Sequence, residues 1–267
     1  MKLLSRLYIA LILTFLYAPI LVMIVFSFNS AESVWVFENF SLQWYKELAF
    51  NGAMLTALQH TLIIAVSSAL ISTVLGTAAA VGIISLRNKL TKGLIMSITN
   101  IPMMNADIVT GISLMLLFVF FGNLIALKES LGFFTVLIAH ITFNLPYVIL
   151  SVIPRLKQTD VHLSEAALDL GCTPPQAFFK VVLPSIWPGV FSGFIMAFTL
   201  SLDNFVISYF TCGHYQTLPI VIYNMTKKTV TPDAYALSTI IFVVIFALLV
   251  LYNTIQNKSL KKGVMRV

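Results

Sequence analysis

Six stretches of the chain are long and apolar enough to cross a bilayer: Leu7–Phe28, Ala57–Ser85, Leu94–Phe121, Leu131–Ile153, Pro188–Phe210 and Leu237–Gln256. A helix needs about 20 such residues to span the hydrocarbon core. Inside that core, backbone hydrogen bonding must be satisfied internally, which restricts what can span it. The pieces between the runs are too short and too apolar to form a separate soluble domain. The expected fold is therefore all-α: a polytopic membrane protein of six transmembrane helices, with residues 1–267 forming one domain. No internal repeat is visible.

Composition supports the same class. The chain is 59% hydrophobic and 10% charged, against roughly 45–50% and 25% for soluble domains. A cytosolic domain and a disordered chain are excluded. The net charge of +6 and a pI near 9.3 could suggest a nucleic-acid partner, but the basic residues sit in short segments between apolar runs, where membrane topology accounts for them. Two cysteines, Cys172 and Cys212, make no disulfide framework.

Lys2 and Arg6 resemble the basic region of a signal peptide. The run behind them exceeds the usual 7–15 residues and no A-x-A site follows, so a retained helix is expected. One side of the membrane would carry Lys2, Arg6, Arg87, Lys89, Lys92, Arg155, Lys157, Lys180, Lys258, Lys261, Lys262 and Arg266. The other would carry Lys46, Lys128, Lys227 and Lys228. This asymmetry places both termini in the cytoplasm.

Within the spans, Ser68, Ser72, Gly76 and Ala80 form a stripe of small residues at four-residue spacing. Such a stripe lets helix backbones approach closely in lipid and says little about function. Asp107 and Asp203 are the only acids in the spans, and no lysine or arginine accompanies them there. Intramembrane acids usually face a cavity or partner and mark a pathway; the alternative is a structural acid bonded to a neighbouring helix. Unpaired anions lining a cavity suit a cationic cargo. Pro102 precedes Asp107 and can kink its helix. Ser201, Asp203 and Asn204 form a polar cluster in an otherwise apolar run. His140, with Asn144 and Pro146 behind it, reads as a packing histidine beside a proline kink or as a proton relay. The histidines show no paired metal-ligand spacing, so no metal site is expected.

The segment Pro154–Trp187 is the most informative. Asp160 can cap a short helix running from Val161 to Leu170, and Gly171 suits its C-terminus. Thr173 then caps a second helix with Pro174 at its first position, ending near Leu183-Pro184. A helix-turn-helix results. Its three basic residues and its tether between two spans argue against a DNA reader.

Glu165-Ala166-Ala167, then three residues, Gly171, nine residues and Val181-x-Leu183-Pro184 resembles the EAA motif of ABC-importer permeases, with valine in place of isoleucine. The resemblance runs along most of the chain. Phe40-Ser-Leu-Gln-Trp44-Tyr45, His60-Thr61-Leu62, Asp107-Ile108-Val109, Ala139-His140-Ile-Thr-Phe143-Asn-Leu-Pro146 and Phe198-Thr199-Leu-Ser201-Leu-Asp203 are similar to the spermidine/putrescine type of MetI-like permease. So are Thr217-Leu218-Pro219 with Ile222-Tyr223, and Pro232-Asp233 with Ala236-Leu237.

The resemblance implies a type I importer fold in the bacterial inner membrane, with a cytoplasmic coupling helix that docks on an ATPase. Glu165, Ala166, Ala167, Asp169, Gly171, Leu183 and Pro184 would act in that coupling. A face of Leu163, Ala166, Ala167 and Leu170 can bury in a partner groove. Asp107, Ser201, Asp203, Asn204 and Trp44 would line the path of a polyamine. Polyamine permeases usually carry a second acid where this chain has Asn204, which leaves spermidine, putrescine or another small cargo open. The implied partners are a second homologous permease forming a heterodimer, two ATP-binding subunits and an extracytoplasmic polyamine-binding protein, together with membrane lipid and no nucleic acid. The chain itself has no Walker A sequence. No cofactor is expected in it, and ATP and Mg would be bound by the partner subunits.

Trp44 and Tyr45 have two readings: contact with the binding protein or, by cation–π attraction, with an ammonium, or membership of an interfacial aromatic belt. Cys212–Ala236 is semi-apolar and either dips into the membrane or caps the pathway. Two other functional classes fit less well. A proton-coupled secondary transporter using Asp107, Asp203 and His140 has no use for an EAA loop and often shows an inverted repeat. A membrane enzyme would need a nucleophile–base or metal constellation that the sequence lacks.

Overall fold

The computed structural model describes residues 2–31, 36–126, 130–160, 162–228, 234–247 and 250. Among these, five helices are long and apolar enough to cross a membrane: Arg6–Phe26, Gly52–Ser85, Asp107–Leu124, Phe133–Gln158 and Pro174–Asp203. A shorter apolar helix, Ala234–Ala247, opens the sixth expected span, whose remainder lies mostly outside the described residues, as do Pro232-Asp233 and the basic C-terminal tail.

In chain order the helices are α1 (Lys2–Phe26), α2 (Gln43–Phe50), α3 (Gly52–Ser85), α4 (Lys89–Met104), α5 (Asp107–Leu124), α6 (Phe133–Gln158), α7 (His162–Asp169) and α8 (Pro174–Ala177). A π turn (Phe178–Val182), α9 (Leu183–Asp203), α10 (Phe205–Thr211) and α11 (Leu218–Lys228) follow. We label Ala234–Ala247 α12. By packing, the chain divides into two compact units, Ala57–Ile220 and Met1–Thr56 with Val221–Val267.

The larger unit has its core where α3, α6 and α9 meet. Ala69, Ala80 and Ile83 of α3 pack with Val148, Ile149, Val152 and Ile153 of α6 and with Ile186, Val190 and Ala197 of α9. Apolar burial between helices is not itself driven by water exclusion in lipid, so close backbone approach must supply the attraction. Glycines make it possible. A Cβ at Gly76 would stand 2.7 Å from Val148 Cγ1, and one at Gly193 would stand 3.2 Å from the same atom. Val148 of α6 is thus gripped by a glycine from each neighbour. The expected stripe Ser68, Ser72, Gly76, Ala80 carries the α3 side of this packing. The α9 side comes from Gly189 and Gly193, a G-x-x-x-G pair that the sequence reading passed over.

In the smaller unit, α1 contains Pro19. A loop after it is closed by Asn29, whose Nδ2 donates to the Val36 carbonyl at 2.6 Å and whose Oδ1 accepts the Glu38 N–H at 3.0 Å. Phe28 stacks on Phe40 with centroids 5.2 Å apart, and the Ser27 and Tyr45 hydroxyls lie 2.7 Å apart.

Three expected boundaries need correction. The run Leu94–Phe121 is not one helix: the backbone is extended at Asn105 (φ −77, ψ 148) and at Ala106 (φ −63, ψ 137), which separates α4 from α5. Pro102 removes an N–H from the last turn of α4, which weakens it. The run Pro188–Phe210 likewise breaks, at Asn204 (φ −73, ψ 88). And the segment Pro154–Trp187 is shorter as a connection than expected, because α6 runs on to Gln158 and a continuous helix Pro174–Asp203 begins before Leu183-Pro184. That helix passes Pro184 because the π turn widens the backbone just ahead of it, and it carries Pro188 in its interior as well. The Leu183 N–H reaches back to the Phe178 carbonyl, which eases the clash a proline ring makes with the carbonyl four residues earlier.

Candidate functional site

Both intramembrane acids stand at helix breaks. Asp107 is the first residue of α5, where a carboxylate is stabilised by the helix dipole. Asp203 is the last residue of α9. Both are exposed on this chain. The Asp107 carboxylate acts electrostatically on the Tyr147 phenol of α6. Tyr147 is half-buried and packs with Leu114 and Leu200 around Phe143 and Ile207. It belongs with Asp107, and the sequence reading did not single it out. A tyrosine just after the helix proline Pro146 was the available signal.

Behind the acids lies a buried polar seam. Ser201 Oγ accepts the Asn144 Nδ2–H at 2.7 Å and pairs with Ser68 Oγ at 2.8 Å. These three residues come from α6, α9 and α3, and none is more than 3% exposed. His140, one turn before Asn144, lies with Nε2 2.9 Å from Ser208 Oγ of α10. Asn144 Oδ1 is buried without a hydrogen-bond partner among the described residues. Asn204 is 9% exposed and caps α10, its Oδ1 accepting the Ile207 N–H at 3.0 Å. Of the residues expected along the path, then, the structure exposes Asp107 and Asp203, and turns Ser201 and Asn204 inward to hold the helix ends. The α10 helix packs tightly on α5: a Cβ at Gly111 would stand 3.0 Å from Phe210 Cδ2.

Trp44 lies in the smaller unit. It is 7% exposed, and its indole N–H donates to the Asn29 carbonyl at 2.6 Å. Its ring helps close the loop after α1.

Past α10 the chain folds back over the start of α3. His60 stacks on Tyr215 with centroids 3.7 Å apart, and its Nδ1 lies 3.0 Å from the Gln216 carbonyl. The Leu218 N–H donates to Thr61 Oγ1 at 2.7 Å. Gly213 takes φ +53 against the Leu131 carbonyl. This is where the segment after Cys212 packs within its unit.

The second constellation is the helix-turn-helix. Asp160 Oδ1 accepts the His162 N–H at 3.0 Å; Val161, expected to open the helix, lies outside the described residues. The end of α7 is a complete Schellman motif. The Gly171 N–H bonds the Leu168 carbonyl at 2.9 Å and the Cys172 N–H bonds the Ala167 carbonyl at 3.1 Å, with Gly171 at φ +86. Gln176 Oε1 then accepts the Thr173 N–H at 3.1 Å, and Pro174 begins the next helix. One detail of the expected apolar face changes: Ala167 is buried at 6% exposure against its own chain, while Leu163 and Leu170 stay exposed, Leu170 at 86%. Glu165 and Asp169 are exposed. Glu165 Oε2 lies 2.9 Å from His162 Nδ1. That bond, with the charges of Glu165 and Asp160 behind it, holds the His162 pKa above its ordinary value. Leu183 packs against the main core, and Pro184 is exposed. Among the described residues no group of histidines, cysteines and acids could hold a metal ion.

Residues 72–262 match the family described as "Binding-protein-dependent transport system inner membrane component". The putrescine transport system permease protein PotI of Escherichia coli (strain K12) is 40% identical over 230 residues, covering 85% of this chain and 82% of that protein. The spermidine/putrescine transport system permease protein PotC of the same strain is 38% identical over 251 residues, covering 94% and 92%. Among solved structures, a chain of a bacterial ABC transporter involved in the import of the acidic polysaccharide alginate superposes with a TM-score of 0.75. It is 16% identical, with 96% of this chain and 95% of that one covered, so the likeness is one of fold.

Proposed function

The chain belongs to the binding-protein-dependent transport system inner membrane components, the permeases of ABC importers, and on that basis we propose that it carries polyamines, putrescine or spermidine, into the cytoplasm. It is a multi-pass inner-membrane permease and not an enzyme; family membership leaves no ground for the proton-coupled carrier. The observation that carries the cargo reading is the 40% identity to a putrescine permease along 85% of the chain. The two exposed acids at helix breaks support it. A carboxylate in a low-dielectric passage attracts an ammonium more strongly than in water, and neither acid has a lysine or arginine beside it in its span to neutralise it. Tyr147 adds an aromatic face that an ammonium can approach. Ser201 and Asn204 serve the path by holding the break that presents Asp203.

In this reading a second permease pairs with the chain, a binding protein delivers cargo from outside, and two ATPase subunits supply the energy. Those subunits bind ATP and Mg2+; this chain contributes the docking helix. Glu165 and Asp169 offer negative charge on α7, Ala166 permits close approach, and Leu163 and Leu170 provide apolar surface for a groove. Ala167 is the buried residue of α7, Gly171 turns the chain out of it, and Leu183 and Pro184 lie on the long helix that follows. Both termini lie in the cytoplasm.

The test is uptake of radiolabelled putrescine and spermidine by cells expressing the whole transporter. Asp107→Asn and Asp203→Asn should each depress uptake while protein level and ATPase assembly hold. Parental rates in both variants would make the acids structural and remove the polyamine reading. Orientation is tested in a cysteine-free background. Glu47→Cys should react with an impermeant maleimide from outside and Arg87→Cys only from inside; the reverse pattern overturns the topology.

A further inference from the structure

The break between α9 and α10 is fastened to α6 on both sides. Before it, Asn144 Nδ2 donates to Ser201 Oγ at 2.7 Å. After it, His140 Nε2 and Ser208 Oγ lie 2.9 Å apart. All four side chains are at most 3% exposed. The two anchors on α6 are one turn apart, about 6 Å along the axis at 1.5 Å per residue. In an unbroken helix Ser201 and Ser208 would stand about 10.5 Å apart. The turn of the chain at Asn204 removes that mismatch. Between the two fastenings, Asn204 is buried and capping α10, and Asp203 alone of the polar residues there is exposed.

We propose that His140 and Asn144 are a clamp that positions Asp203. They hold the α9–α10 break at the angle that keeps its carboxylate outside the bundle, and so set the affinity for a cationic cargo without touching it. This rests on the reading of Asp203 as a cargo-facing acid. Packing alone does not account for an amide at position 144. A leucine would fill similar volume and leave no buried acceptor unpaired, as Asn144 Oδ1 is. The directional bond to Ser201 gives the amide a role that leucine lacks. Ser68 shares that role from α3, through its bond to the same hydroxyl.

The experiment measures the concentration dependence of radiolabelled putrescine uptake by the complete transporter. Asn144→Leu should raise KM about tenfold, about 1.4 kcal/mol, with kcat within about twofold of parental. Ser201→Ala should give the same shift. The double variant should give no further shift, because both act through one bond. In an Asp203→Asn background, Asn144→Leu should change nothing more. If Asp203→Asn raises KM but Asn144→Leu does not, or if the two effects add, the clamp is refuted and the cargo reading stands. If Asp203→Asn is silent, Asp203 does not face the cargo and the clamp fails with it, while the polyamine reading is decided by Asp107→Asn. Should Asn144→Leu not assemble, Ser68→Ala removes one partner of Ser201 and leaves Asn144 in place. It should raise KM in the same direction, and a parental KM there overturns the proposal.

Discussion

Asn204 Oδ1 accepts the Ile207 N–H at 3.0 Å, so the residue that follows the acid Asp203 is the cap of the next helix. Asparagine and aspartate are equally good caps, and a negative charge at a helix N-terminus is favourable. Asn204→Asp is therefore expected to fold as well as the parent and to preserve or raise transport of spermidine, the more highly charged cargo. Asn204→Leu should cost about 1 kcal/mol of stability through loss of the cap. Thermal unfolding in detergent, beside uptake of the two polyamines, checks both.

Gly171 stands at φ +86 with open space where a Cβ would go. The obstacle to substitution is therefore backbone conformation and not crowding. Gly171→Val should displace α7, because a β-branched residue tolerates positive φ poorly. Gly171→Asn, which tolerates that region better, should retain most uptake. Co-purification of the ATPase and cargo-stimulated ATP hydrolysis report the result. Normal assembly with normally stimulated hydrolysis in the valine variant would refute the coupling role of this turn.

Gly76→Val places side-chain atoms within the space of Val148 Cγ1, 2.7 Å from where the new Cβ would stand. Overpacking of this kind costs typically 1–3 kcal/mol. A compensating Val148→Ala should restore part of the loss, measured as detergent-solubilised melting temperature. Independent, additive losses would place the two residues out of contact.

His162 has its pKa raised by the hydrogen bond to Glu165, with the charges of Glu165 and Asp160 adding to it. The sign follows from linkage: the stabilisation from the charged pair is fully present below the ordinary histidine pKa and is lost as pH rises through the raised value. Both side chains are well exposed, so the effect on folding is small. The effect on Glu165 is the useful one, since it is released from its neighbour as pH rises through that value. Cargo-stimulated ATP hydrolysis should change across that window in the parent and lose the feature in His162→Gln. An identical pH profile in the two would show that Glu165 works the same way paired or free.

The helix-turn-helix was legible in the sequence because its punctuation is local: Asp160, Gly171, Thr173 and Pro174 each act on their own backbone. The helix breaks were not legible from hydropathy, which stays high across Asn105 and Asn204. A window of apolar residues reports burial in lipid and says nothing about continuity. Asn204 did carry a local signal, as a good capping residue, but it was read for the charge it lacks. The bonds Asn144–Ser201 and Ser68–Ser201 join positions far apart in the chain, and no periodicity predicts them. The stripe on α3 was read, while the matching Gly189 and Gly193 on α9 were overlooked for want of a partner to place them against. Trp44, which with Tyr45 reads in the sequence as a contact for a binding protein or an ammonium or as part of an interfacial belt, donates to the Asn29 carbonyl, a contact only the folded loop reveals.

The π turn at Phe178–Val182 has a mechanical meaning. Because it lets the chain pass Pro184 without stopping, Pro174–Asp203 is one helix of 30 residues, about 45 Å long. One end begins three residues after Gly171, against the segment that would meet the ATPase; the other end carries the carboxylate that would meet the cargo. The π turn and Pro188 are places in it where the regular hydrogen-bond ladder is interrupted. A pull of a few ångströms at the Thr173 end would reach Asp203 along one continuous backbone, with the π turn and Pro188 setting where that backbone flexes, so a single piece of chain would serve as both the handle and the tip of the stroke.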